Sequence, residues 1–132
     1  MKIKLTPAWH GSGICVEGKD AFSYVGPPCG FLVWLDGFCF YFAGDTGLFG
    51  DMEKIIGRYQ IDVAFLPIGD WNTMGPDDAV LATNWLQPDT VVPMHYNTFD
   101  VIQQNGALFK AEIENKMDTR CVLLEPGQSF ML

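Results

Sequence analysis

Asp45 and His95 each stand where an apolar run stops. In Phe40-Tyr41-Phe42-Ala43-Gly44-Asp45-Thr46-Gly47 the run ends at a glycine, then an acid, then a second glycine. In Val91-Val92-Pro93-Met94-His95-Tyr96-Asn97-Thr98 it ends at a histidine. His10 follows a third apolar stretch, in Pro7-Ala8-Trp9-His10-Gly11-Ser12-Gly13. Carboxylate oxygen and imidazole nitrogen are both ligands for a divalent ion such as zinc. The glycines beside Asp45 leave backbone room for a cation to approach. An acid and a histidine at the ends of two strands are the materials of a metal-hydrolase site. Each has a plainer reading as well. Asp45 also suits a turn that caps the following segment, and a lone His95 also suits a half-buried, hydrogen-bonded histidine. His10 carries little weight alone, and the three residues reinforce one another. Ligands are scarce, because the chain has only two histidines.

A polar and aromatic loop, Gly69-Asp70-Trp71-Asn72-Thr73-Met74-Gly75, falls at the same end of the expected sheet. Asp70, Trp71, Asn72 and Met74 are candidate residues of a substrate cleft. An ordinary connection to the next helix is the competing reading. Tyr96, Asn97 and Thr98 crowd His95 and are candidate supports for it. Asp77 and Asp78 are more naturally the first-turn acids of a helix.

The elements that must position these residues are legible in outline. Lys2–Thr6 alternates and reads as a strand. Residues 7–30 read as loop, rich in proline and glycine, with short extended pieces near Cys15 and Val16. Two apolar runs, 31–35 and 38–42, flank Asp36-Gly37, a preferred type I′ hairpin turn. Both runs are apolar on both faces, so both sides of this sheet must be covered. Met52, Ile55, Ile56 and Tyr59 predict a helix over 49–59. Strands are expected over 61–66, 89–93 and 120–124, with a final short strand at 129–132. Helices are expected from Pro76 through Trp85 and over 107–117. The alternation in the second half implies an α/β layer with a parallel section.

The chain has 132 residues, enough for one domain with one core. Charged residues make up only 18%, below the usual ~25%. This apolar surplus points to surface covered by something else. The net charge of −8 provides no basic footprint for nucleic acid. The four cysteines form no Cys-x-x-Cys pair, and a disulfide framework is not expected. No apolar run reaches the ~20 residues of a membrane span. Met1–Pro7 shows no signal-peptide pattern, so the expected compartment is the cytoplasm.

Taken as a set, the motifs resemble the metallo-β-lactamase superfamily. They are Thr6-Pro7-Ala8-Trp9-His10, Ala43-Gly44-Asp45-Thr46-Gly47, Leu66-Pro67-Ile68-Gly69, Met74-Gly75-Pro76-x-Asp78-Ala79 and Pro93-Met94-His95-Tyr96-Asn97-Thr98. The similarity is greatest to metal-dependent hydrolases related to ascorbate-phosphate lactonase and the N-acyl-phosphatidylethanolamine phospholipase. The resemblance implies that Asp45 bridges two divalent metals, zinc above all, with His10 on one and His95 on the other. It implies metal-hydroxide hydrolysis of an ester, lactone or phosphodiester, and a small-molecule substrate edged by residues 69–74. Asp70 departs from the small residue that the family usually places there.

The larger departure is the absence of His-x-His-x-Asp-His, which the family carries in its N-terminal half. The resemblance therefore implies a mixed sheet with a hairpin and helices on one face, the C-terminal half of an αββα sandwich, over residues 1–132. Such a half is expected to bind metal weakly and to be inactive alone. A separate N-terminal half would complete it. The alternative is a non-catalytic half-domain that pairs its sheet face with a second copy.

Overall fold

A computed structural model describes residues 1–18 and 21–132. Its frame is a six-stranded sheet. The strands are β1 (Lys2–Pro7), β4 (Cys29–Leu35), β5 (Phe38–Phe42), β6 (Val63–Pro67), β7 (Thr90–Met94) and β8 (Arg120–Cys121), in that spatial order. β1, β4 and β5 run antiparallel, and β5 through β8 run parallel. The mixed sheet expected from the hairpin and the later β–α alternation is what forms. β4 and β5 turn at Asp36 and Gly37, with φ of 51° and 92°, both positive as a type I′ turn demands. β2 (Gly13–Cys15) and β3 (Phe22–Tyr24) form a separate antiparallel ribbon in the glycine-rich stretch.

Two helices follow the parallel strands. α1 (Pro76–Leu86) starts with proline in its first turn beside Asp77 and Asp78, which face the positive end of the helix dipole. α2 (Gly106–Lys116) is capped by Asn105, whose side chain accepts from Leu108 N–H at 3.1 Å. Both helices pack on one sheet face. Leu32, Tyr41, Ala64, Leu66 and Val91 from the strands meet Ala79, Leu86, Phe109 and Ile113 from the helices in one buried cluster.

Three elements differ from the sequence expectation. The helix over 49–59 shrinks to one wide turn, Met52–Ile56, closed by Gly57 N–H donating to Met52 O at 2.7 Å. Gly57 follows it in close contact with α1, where a Cβ would sit 2.5 Å from the Trp85 carbonyl oxygen. Met52 and Ile56 are buried as the spacing requires, but Ile55 is exposed. The strand over 120–124 is two residues long, although Val122 N–H still donates to Val91 O at 3.0 Å. Residues 129–132 form no strand.

The other sheet face is apolar and largely bare. Ile3, Leu5, Phe31, Leu35, Phe38 and Phe42 all remain exposed, and the strand register puts them on one side. Only at its far edge is this face closed, where Val63, Val92 and Val122 pack with Phe65, Leu124 and Phe130. No helix among the described residues is long and apolar enough to cross a membrane.

Candidate metal and substrate site

Parallel strands deliver their following loops to one end of a sheet, so the residues after β5, β6 and β7 must converge there. Asp45 follows β5 and His95 follows β7. His95 Nε2 lies 3.8 Å from Asp45 Oδ1. Two ligands at about 2.1 Å from one tetrahedral ion are separated by roughly 3.4 Å, and a wider angle reaches the observed spacing. The pair therefore fits a shared divalent ion. Both side chains keep access to solvent, with Asp45 the more open at 53% against 31% for His95.

The loops are stitched to each other by backbone hydrogen bonds. Thr46 is the staple. Its Oγ1 accepts from Trp9 N–H at 2.8 Å and its carbonyl accepts from Met74 N–H at 2.9 Å. Gly47 N–H donates to the Trp9 carbonyl at 2.9 Å. These bonds tie the His10 loop and the 70–74 loop to the Asp45 turn.

His10 is poised differently. Its Nδ1 lies 2.8 Å from the Gly11 carbonyl oxygen. A carbonyl only accepts, so Nδ1 is the donor in this contact. The Nε2 of His10 is buried, as is Nδ1 of His95. Neither nitrogen finds a hydrogen-bond partner among the described residues. No group of three or more His, Cys, Asp or Glu residues among the described residues is arranged to hold a metal. Asp45 and His95 are brought together, and His10 does not complete a third position with them.

The candidate cleft residues divide. Asp70, Trp71 and Asn72 are exposed, and Trp71 is 75% accessible. Met74 is fully buried in the helix-side core, so it anchors the loop and presents nothing to a cleft. Asp70 and Trp71 both adopt left-handed backbone, with φ of 62° and 60°. The Asp70 N–H to Met74 O and Thr73 N–H to Asp70 O bonds, 2.9 and 3.0 Å, hold them there. Two of the candidate supports of His95, Asn97 and Tyr96, are engaged elsewhere, and Thr98 is exposed. Asn97 Oδ1 accepts from Gln104 N–H at 2.7 Å. Tyr96 sits against Gly106 of α2, and burial, then Glu125 and Cys121, pushes its phenol upward.

One site residue escapes sequence reasoning. A Cβ on Gly69 would lie 2.2 Å from the His95 carbonyl oxygen and 3.1 Å from its Nδ1. Only glycine lets the end of β6 pass so close to His95. The signal was present as a glycine straight after Pro67-Ile68, but a strand-end glycine alone does not say what it touches. A cleft of about 690 Å³, lined by Asn97, Gln103, Gln104, Asn105 and Gly106, adjoins the His95 loop, while other clefts lie away from it. One of about 400 Å³, lined in part by Gln87, Pro88, Asp118 and Thr119, lies where β7 and β8 begin, opposite the end that carries His95.

A mixed sheet with helices on one face, and with acid and imidazole side chains at strand ends, is a metallo-β-lactamase-type α/β layer. The chain belongs to the β-lactamase superfamily domain family, whose model matches residues 1–96. It is 52% identical over 133 residues to a UPF0173 metal-dependent hydrolase of Pelotomaculum thermopropionicum, covering 100% of this chain and 58% of that protein. A similar protein of Desulforamulus reducens is 49% identical over 128 residues, covering 97% of this chain and 56% of its own length. Among solved structures, Igni18, a metallo hydrolase of Ignicoccus hospitalis, superposes with a TM-score of 0.81 at 42% identity, covering 96% of this chain and 50% of that one. The chain thus spans little more than half the length of the relatives it matches.

Proposed function

We propose that this chain is the C-terminal half of a metal-dependent hydrolase acting on an ester, lactone or phosphodiester. The observation that carries the reading is the 3.8 Å approach of His95 Nε2 to Asp45 Oδ1 at the end of the parallel strands. A divalent ion, zinc in this proposal, would supply Lewis acidity and lower the pKa of a water at the site. Asp45 and His95 would hold it in place, while His10 would offer its unpartnered Nε2 to a second ion. Trp71 and Asn72 would border the substrate. Two protein donors are fewer than the three that a catalytic zinc ordinarily keeps. The remaining donors come, in this reading, from an N-terminal half that covers the bare sheet face.

That face also supports a second reading, a non-catalytic half-domain that pairs with its own copy. Phe31, Phe38 and Phe42 form an exposed apolar surface, and self-complementary pairing about a two-fold axis would bury it. Metal content and sedimentation of the purified chain decide between these readings and their rival. The hydrolase-half reading expects weak, substoichiometric zinc and an inactive chain that gains activity when an N-terminal half is supplied. A metal-poor dimer that Phe42→Glu converts to monomer, and that no added half activates, selects the second reading. Two tightly held ions in a solitary monomer that cleaves an ester unaided would overturn both.

A further inference from the structure

A pocket of about 310 Å³ lies beside the ligand loops, lined by Pro7, Ala8, Trp9, Leu48, Phe49 and Gly50. Every lining residue is apolar. Trp9 is the immediate neighbour of His10, and Leu48 follows Asp45 by three residues. The Trp9 N–H to Thr46 Oγ1 and Gly47 N–H to Trp9 O bonds clamp the two walls together. The pocket is thus built from the same two turns that carry His10 and Asp45. Its volume lies at the lower end of small-molecule sites, ~300–1,000 Å³. It is also separate from the bare sheet face, because Leu48 and Phe49 pack against the helix-side core. Trp9 remains 72% accessible although it flanks a candidate ligand.

We propose that this pocket receives the apolar part of the molecule that the site acts on. The chemical class is a linear aliphatic group of roughly six to ten carbons, packed at ordinary interior density. This deepens the hydrolase reading and rests on it for the word substrate. The pocket itself is tested without turnover.

The experiment titrates the full chain with primary alcohols from butanol to decanol, read by tryptophan fluorescence and calorimetry. Alcohols are neutral, so neither the net charge of −8 nor metal coordination dominates their binding. Affinity is expected to rise about fourfold per methylene and to level off once the pocket is filled. Trp9→Ala, at an exposed position, should keep the fold and flatten the series at least tenfold. Leu48→Gln should do the same, with circular dichroism confirming the fold. Phe42→Glu on the bare sheet face should leave the series unchanged. A series insensitive to Trp9→Ala, one that never levels off, or one abolished by Phe42→Glu overturns the proposal. Zinc-induced shifts of the His95 ring resonances are followed in parallel. Their absence beside an intact alcohol series strikes the hydrolase reading alone.

Discussion

Gly69→Ala is the sharpest perturbation of the candidate site, because it adds one methyl group where the backbone of two loops nearly touches. The new Cβ would stand 2.2 Å from the His95 carbonyl oxygen, and Cβ atoms essentially never come within 3.0 Å of such an atom. The ends of β6 and β7 must therefore part by about 0.8 Å, an overpacking cost of about 1–3 kcal/mol. For a chain of this size that lowers the melting temperature by roughly 3–15 °C. The same displacement moves His95 relative to Asp45. Metal ligand distances tolerate only about ±0.2 Å, so the pair would no longer suit the common ion proposed for it. Zinc titration followed by proton NMR reads this directly, because the chain has only two histidines. The zinc concentration that shifts the His95 ring resonances should rise at least about tenfold, or 1.4 kcal/mol. Gly11→Ala is the control, since nothing lies within 4 Å of its added Cβ. A Gly69→Ala protein with unaltered melting temperature and unaltered zinc response would refute the link between this glycine and the ligand geometry.

Two further outcomes follow from individual side chains. Asp45→Asn keeps size and removes the carboxylate charge, so the zinc response of His95 should weaken at least about tenfold. Its melting temperature should stay within about 2 °C, as expected of an exposed surface change. Burial, then the Glu114 carboxylate, pushes the fully buried Cys121 thiol from 9.0 up to about 11. The folded value exceeds the unfolded one, so this stabilisation is complete below pH 9 and is lost as pH climbs towards 11. The loss amounts to about 2–3 kcal/mol. Urea midpoints at pH 8 and pH 10.5 should differ less in Cys121→Ala than in the parent, and equal differences would contradict the assignment.

The fold was legible wherever a local rule had one outcome. Asp36-Gly37 between two apolar runs admits a hairpin, and Pro76-Asp77-Asp78 opens a helix by dipole and φ restriction alone. The segment over 49–59 misled because Met52, Ile55 and Ile56 have helical spacing. Spacing does not register that Gly57 must press against the Trp85 carbonyl, a contact made only in the tertiary fold. The strand over 120–124 was overextended for a related reason. β8 pairs with β7 only at Thr90 and Val91, and its next apolar residues instead pack beside Phe130. At the site, the strand-end positions of Asp45 and His95 were legible, and the structure brings the two side chains to 3.8 Å. Met74 was not separable from its loop neighbours, since an apolar residue beside Trp71 suits a cleft as well as a core. The staple at Thr46 lay beyond reach, because its partners are 28 and 37 positions away in the chain.

The conformation of Trp71 links this geometry to purpose. Four of the left-handed non-glycine residues, Asp70, Trp71, His95 and Asn97, sit in the loops after β6 and β7. Asn and Asp accept this backbone with little penalty, but a tryptophan does not. With its side chain 75% accessible, Trp71 gains little packing in return. Trp71→Gly should therefore stabilise the chain by about 1 kcal/mol, since glycine adopts φ near 60° freely. A urea midpoint that rises without a change in slope would mark Trp71 as a residue held at a cost to stability, which is how cleft residues are held. A fall of more than about 1 kcal/mol would mean that the indole packs where it looks bare. Trp71 would then belong to the scaffold, and Asn72 alone would remain at the cleft edge.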